Sequence, residues 1–535
     1  MKKQKLNTQK KHATSLFTLL AILTIFSQIN LTNFTDTPIA DETHSEIDNL
    51  KGSWTVDPLI IDGNWSEVAD TYEWCSGEGL PWDPYVIENI TIDGQGLDHC
   101  LYITNTDDWF VIRNSSFYNE GFYRGIYMYK VINARIENCS FYDTYSAMNI
   151  YSSRKIEVLN NYIENSSWGI YSSNSKEIRI ENNTLFDNSD YGIYLNYVSQ
   201  VEIKNNTFIN NTEAGLYLYD CEEIGIIQNT ISNTTGVNYG GIYVDDSQFI
   251  YMNENDIIDN LRGIFVENTG SCEITNNHFE NNGLTGILFE FVWESIIYQN
   301  IMRNNIEAIH LQDSNNIEIC ENIINNTEFA INGIFLAASS SNFISQNTLI
   351  NFDAEGISLE MYSDDNKIRE NEIWNASNAF ALRNGANNNR IEENEIFNSS
   401  MDQIYIDTSY STQIEHNLIA NGSAQGIFLS SAIASDKLFT TISKNQIEHN
   451  KGFGINFNGN AQANTILLNN FINNNLMGTS QARDPSGMNN FYNSTKGLGN
   501  YWSDWNSPDN DNDGIVDNPY TFSGGLDNYP LNYTA

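Results

Sequence analysis

Positive charge is scarce in this chain: 26 Lys and Arg stand against 68 Asp and Glu, a net charge of −42 over 535 residues. A surface so negative cannot neutralise phosphates, which argues against nucleic acid as a partner, and divalent cations become the expected charged partners instead. Cysteine is also sparse. Cys139, Cys221, Cys272 and Cys320 fall at different points of a repeating pattern, which argues against a disulfide framework, and only Cys75 and Cys100 lie where a pair is plausible. No CxxC or His-rich spacing suggests zinc. Outside the first 30 residues no apolar run is long enough to span a membrane.

A single unit recurs throughout the chain. Residues 192–211, GIYLNYVSQVEIKNNTFINN, have versions about every 23 residues from 125 to 474, a period that signals a solenoid. Within the unit Ile193 and Leu195 alternate with Tyr194 and Asn196, and Val201 and Ile203 alternate with polar neighbours, the period-2 pattern of half-buried strands. The position after the recurrent Gly is apolar in all fifteen copies from Ile126 to Ile455, and the position two residues on is apolar in every copy but Ser172. A helical repeat does not keep both i and i+2 buried. A third column of asparagines runs from Asn161 through Asn183, Asn206 and Asn229 to Asn470, where stacked amides can bond one another and cap turns. The expected fold is all-β: a right-handed parallel β-helix, a single-stranded solenoid of about 22–23 residues per coil, each coil rising about 4.8 Å, with N- and C-terminal caps.

The segmentation follows. Residues 1–30, with Lys2, Lys3, Lys5, Lys10 and Lys11 before an apolar stretch at 16–29, have a signal-peptide layout, or form an N-terminal anchor that would be the chain's only membrane contact. Residues 41–83 carry Trp54, Trp65, Trp74 and Trp82 without the repeat and are expected to cap the first open edge. The β-helix is expected over 84–490, with longer coils at 215–240, 308–332 and 426–453 marking loop insertions where specificity resides. Residues 491–535 form a second cap. There Asp509, Asp511, Asp513 and Asp517, with Gly514, have the D-x-D-x-D-G-x-x-D spacing that wraps carboxylates around Ca2+. Tyr520 stands where an EF-hand has its bidentate Glu, so the loop is not an EF-hand.

The G-I-x-L coils, the NN-x-I turns and the tail GNYWSDW...DNDGIVDNPY...DNYPL together resemble the NosD-like family of exported right-handed β-helix proteins. The resemblance covers nearly the whole chain after the first segment. It implies the fold, kinship with carbohydrate-binding and sugar-hydrolase β-helix proteins, and, for some members, a periplasmic copper-binding label. Copper needs His, Met or Cys converging on one face, and His278, His310, His416 and His449 sit at different points of different coils, so copper is not supported.

Enzyme signatures of this fold are missing. Asn105-Thr106-Asp107 and Asp245-Asp246 are fragments of a polygalacturonase-like set, lie about six coils apart and lack the Gly-His-Gly and Arg-Ile-Lys elements; the Asp-Pro-His of alginate epimerases is also absent. What is present is an outward column that includes Tyr171, Tyr194, Tyr217, Tyr243 and Phe265, with Tyr219 beside it. Rings about 5 Å apart form a strip that either takes the apolar faces of sugars or reinforces neighbouring strands. On the same face Asp245, Glu267 and Glu290 occupy equivalent positions, with Asp220 and Asp246 one residue further along. Such a row is a solvated acidic surface, a cation site or a carboxylate pair of the kind glycosidases use. The leading reading is a noncatalytic exported protein that binds a polysaccharide or glycoprotein glycan, or is structural in the envelope; the alternative is a polysaccharide lyase or glycoside hydrolase working near Asp245.

Overall fold

The computed structural model describes residues 54–119, 121–326, 330–433 and 436–535. The expected signal or anchor segment at 1–30 and the start of the expected cap lie outside the described residues. Within unit Gly52–Ala535 the chain winds as stacked coils of three strands, typified by Tyr191–Asn196, Ser199–Lys204 and Thr207–Ile209. Equivalent strands of successive coils pair in parallel and build three sheets, here sheets I, II and III in that order around the coil. Sheet III has 19 strands. At Arg124–Glu137 one continuous strand turns from sheet I into sheet II. Among the described residues the only helix is the seven-residue Trp65–Thr71, and no helix is long and apolar enough to cross a membrane.

The apolar columns are the core. Ile126, Ile193, Leu216, Ile242, Phe380 and Ile455 are all fully buried, as are Leu195, Leu218 and Val244 in the second column. The recurrent glycine has a steric cause: a Cβ on Gly192 would lie 2.6 Å from the Gly215 carbonyl oxygen and 2.7 Å from Phe208 Cδ1.

The NN doublets divide labour at the corner between sheets II and III. Asn205 takes the left-handed conformation (φ 54°), which Asn tolerates better than most residues. Asn206 then turns inward and forms the ladder, its Nδ2 donating to Ile180 O at 2.9 Å and to Asn229 Oδ1 at 3.0 Å. The next corner repeats the device with Asn210 (φ 57°) and buried Asn211, whose Oδ1 accepts from Asn188 Nδ2 at 2.8 Å. This second ladder is not in the sequence reading. The first ladder also ends differently: Asn469, not Asn470, accepts from Asn445 and passes the ladder to Asn500, while Asn470 Oδ1 accepts the Ala535 N–H at 2.7 Å.

Both ends reach further than the repeat suggests. Trp54–Val56 and Leu59–Asp62 already pair in parallel with Ile90–Asp93 and Leu101–Thr106, so the first coil begins inside the Trp-rich stretch. The helix Trp65–Thr71 and the antiparallel pairing of Cys75 with Ile87 follow it. At the other end Trp502 pairs with Phe471 as the last rung of sheet III and stacks on it at 4.3 Å. All six cysteines are free and buried. Cys75 and Cys100, the one plausible pair, are not bonded to each other: Cys75 lies against the sheet II strand Tyr85–Glu88, whereas Cys100 Sγ donates to Tyr118 O at 3.1 Å on the sheet III side.

Candidate functional site

The outer face of sheet I carries the aromatic file. Strand register places Tyr171, Tyr194, Tyr217, Tyr243 and Phe265 directly over one another. Ring centroids are 5.2, 4.6, 5.0 and 5.0 Å apart in that order. Only Tyr194 and Tyr217 are parallel, at 4°; the other pairs are tilted by 46–55°.

The file is not uniformly outward. Tyr171, Tyr194 and Tyr217 are half-buried, but Tyr243 and Phe265 keep only 6% and 7% of their surface and form a satellite cluster with Leu288. The cover comes from residues the sequence reading missed. Tyr239, at the end of the 215–240 insertion, contacts Tyr217, Tyr243 and Tyr191, and the Arg262 guanidinium lies 5.5 Å from the Phe265 ring centre. Gly240 (φ 123°) lets that loop close, since a Cβ there would meet Arg262 O at 2.8 Å. Tyr191 and Trp168 precede the recurrent Gly, and their aromatic identity was the available signal.

Polar atoms without partners punctuate this face. Asn149 Oδ1, Asn196 Oδ1, Thr285 Oγ1 and His310 Nε2 are buried and unbonded, and all four belong to outward positions of sheet I strands. Buried polar atoms are otherwise almost always satisfied.

The acidic row is in register as expected: Asp245, Glu267 and Glu290 follow Tyr219 up one column. Tyr243 Oη donates to Glu267 Oε2 at 2.8 Å, and Asn268 Nδ2 donates to Asp245 Oδ1 at 3.1 Å. Burial raises the pKa of Asp245, helped by Asp246 and Glu267 and opposed by the Asn268 bond. Burial and then Glu267 raise that of Glu290. Asp220 and Asp246 stand apart from the row. Both take left-handed corner positions (φ 50° and 49°), exposed where sheet I turns into sheet II. Tyr219 leans to that corner too, edge-on to Tyr197 at 5.8 Å.

In the tail, ligand oxygens of Asp509, Asp511 and Asp513 lie within 4.8 Å of one another. Asp517 turns aside to accept from the Asn510 side chain and backbone. Asp509 Oδ2 accepts from Gly514 N at 3.1 Å, but its Oδ1 is buried without a partner. Three carboxylates and an orphaned oxygen suit a hard cation such as Ca2+. Three of the described histidines are spread over the coils. His278 contacts Asp256, His310 contacts Glu307, and His449 lies beside Asn473, each on a different part of a coil.

No curated protein matches this sequence. Among solved structures, the periplasmic alginate epimerase AlgG is 11% identical, with 78% of this chain and 84% of that chain covered and a TM-score of 0.34. The Dettilon tailspike protein is 15% identical over 68% and 60%, TM-score 0.31. The Streptococcus pneumoniae surface protein and adhesin PfbA is 14% identical over 62% and 92%, TM-score 0.31. A family model described as right handed beta helix region matches residues 99–257. A second, described as periplasmic copper-binding protein (NosD), matches residues 233–380 and 332–507, which together span just over half of the sequence, and to this NosD family the chain belongs.

Proposed function

We propose that the protein is exported and binds a surface polysaccharide or glycan, without cleaving it, along the outer face of sheet I, and that its tail loop holds a structural calcium ion. One observation carries the binding site: the file from Tyr171 to Phe265 is flanked by buried, unbonded polar atoms, Asn149 one coil before it and Thr285 and His310 on the two coils after it, with Asn196 on the same strand as Tyr194. Sugars present both an apolar ring face and hydroxyls, so a surface offering aromatic area and unspent hydrogen-bonding capacity matches them on both counts. Tyr171, Tyr194 and Tyr217 are the accessible part of the file and supply the apolar contact; Tyr243 and Phe265 hold it in place. Export agrees with the N-terminal segment and with the periplasmic description of the family.

A second reading has its own support. Asp245 and Glu290 have raised pKa values beside Glu267, the environment in which a carboxylic acid stays protonated long enough to serve as a general acid. A panel of polysaccharides assayed for both retention and product release separates the two. The expected result is retention weakened at least several-fold by Tyr194→Ala with Tyr217→Ala, and no new reducing or unsaturated ends. Product release abolished by Asp245→Asn would replace the binding reading with the lyase or hydrolase one.

A further inference from the structure

Where sheet I turns into sheet II, the coils covering residues 130–199 gather exposed cations that depart from the charge pattern of the sheet II face beside them. Along the outer face of sheet II opposite charges alternate between coils: Arg135 pairs with Glu157, which pairs with Arg179, which pairs with Glu202. Arg135 Nε reaches Glu157 Oε2 at 2.7 Å. Cross-strand pairs of opposite sign stabilise a sheet, and like charges placed directly opposite destabilise it. At the corner, however, Arg154 stands directly against Lys176, with Lys130 on the adjoining corner position.

All three are exposed. Among the described residues Arg154 makes no salt bridge, Lys130 has only the Tyr129 ring at 5.0 Å, and Lys176 has one loose contact to Glu177 at 3.9 Å. In a chain with 68 acidic residues, leaving these cations uncompensated is a departure from the local pattern. They line a shallow groove of about 470 Å³ whose remaining walls are Ile132, hydroxyls, the Asn174 amide and the half-exposed Tyr197 ring, with no carboxylate in the lining. Glu177, next to Lys176, lies outside the lining, and the neighbouring groove one coil further on is lined by Asp220, Glu222 and Asp246. Tyr129 and Tyr151, ring centres 6.5 Å apart, border the corner on the sheet I side.

We infer that this corner groove binds the anionic groups of an acidic polysaccharide, carboxylate or sulfate ester, through Lys130, Arg154 and Lys176. The inference rests on the glycan reading above and narrows its ligand class. Arg154 presents a planar fork of donors suited to a two-oxygen anion, while Lys130 and Lys176 act as point charges on either side. Arg154 and Lys176 hold the same position on successive coils, between Ile132 and Ser199, so acids on two successive sugars of a polymer meet a pair of cations that a neutral glycan leaves unused. Acids beyond Asp220 repel the same polymer and confine it to this stretch.

The test uses the full chain and five probes: polygalacturonate, dextran sulfate, neutral dextran, inorganic sulfate and a DNA oligonucleotide, measured by calorimetry and affinity electrophoresis at low and high salt. The wild type is expected to bind at least one polyanion, more weakly as salt rises, with the two polyanions distinguishing carboxylate from sulfate. Arg154→Gln with Lys176→Gln is expected to lower that affinity at least tenfold and to leave the melting temperature unchanged or higher, because a like-charge pair has been removed. Polyanion binding that is absent, or equal in wild type and variant, overturns the inference, and so does equal affinity for a DNA oligonucleotide. Retention that falls with Tyr194→Ala but ignores Arg154 and Lys176 would sink this inference and leave the aromatic face standing; the opposite pattern would sink the aromatic face alone.

Discussion

Asn206 is held from several directions at once. Its Nδ2 donates to Ile180 O, Lys204 O and Asn229 Oδ1, and its Oδ1 accepts both the backbone and side-chain N–H of Asn183. Removing such a group leaves buried partners unsatisfied, at about 1–3 kcal/mol each, which is why the position reads as Asn in coil after coil rather than as any small polar residue. The hydrophobic columns act through burial instead. Leu218 is fully buried between coils, while its neighbour Tyr217 is half-buried among Tyr194, Tyr239 and Tyr243. Leu218→Asp places an uncompensated charge in that interior and is expected to cost several kcal/mol, on the order of the burial penalty of a polar group. Tyr217→Ser loses aromatic contacts worth about 0.5–1.5 kcal/mol each, so it is not the mild surface change that the alternation alone suggests. Thermal melts should show Leu218→Asp far below Tyr217→Ser and both below wild type; equal losses would refute the strand register.

At the scale of strands and corners, the apolar columns and the acidic row were legible because every coil repeats the same environment at the same offset. The cover over Tyr243 and Phe265 was not, because Tyr239 arrives from an insertion whose path no periodicity encodes. Nor was the last ladder step: Asn469 and Asn470 are adjacent asparagines, and only the backbone decides which one turns inward. The corner groove escaped for a related reason: Arg154 and Lys176 are one coil apart and become direct neighbours, but Lys130 joins them from a different corner position, where Ile132 holds the equivalent place. The acidic row has a measurable consequence at this scale. Burial raises Asp245 above the ordinary carboxylate value, so between about 3.9, where the unfolded chain ionises, and its higher folded pKa, the folded protein binds more protons. Stability from this group is therefore present at low pH and lost as pH rises through the folded pKa. Asp245→Asn removes the charge yet keeps an oxygen to accept from Asn268. The variant should melt above wild type at pH 7, and the difference should close as pH falls below the usual carboxylate range. A difference that is the same at every pH would show that Asp245 ionisation is not its source.

For the solenoid as a whole, each coil is supported by its neighbours, so the two ends decide where unfolding begins. At the C-terminal end Trp502 stacks on Phe471 and Tyr520, each at 4.3 Å, and fully buried Asp527 accepts from Asn500 N at 2.7 Å and Trp502 Nε1 at 3.1 Å. The loop with Asp509, Asp511 and Asp513 is tied into this cap through Val516 N to Pro530 O and Asn532 N to Gly514 O. Three carboxylates held that close repel one another unless a cation lies among them, and the orphaned Asp509 Oδ1 is the oxygen it would satisfy. A ligand that binds only the folded cap stabilises it by mass action, about 2.7 kcal/mol at a hundred times its Kd. Calcium should therefore raise the melting temperature of the C-terminal coils, and chelation should expose the tail to protease before the central coils. Asp511→Asn with Asp513→Asn should abolish both effects while leaving the protein as stable as chelated wild type or more so, because the repulsion is relieved as well. Copper should not substitute, since the loop offers only hard oxygen donors. If calorimetry detects no calcium binding and the tail resists protease equally with calcium and with chelator, the loop is a solvated acidic turn and the cap stands on its aromatic stack alone.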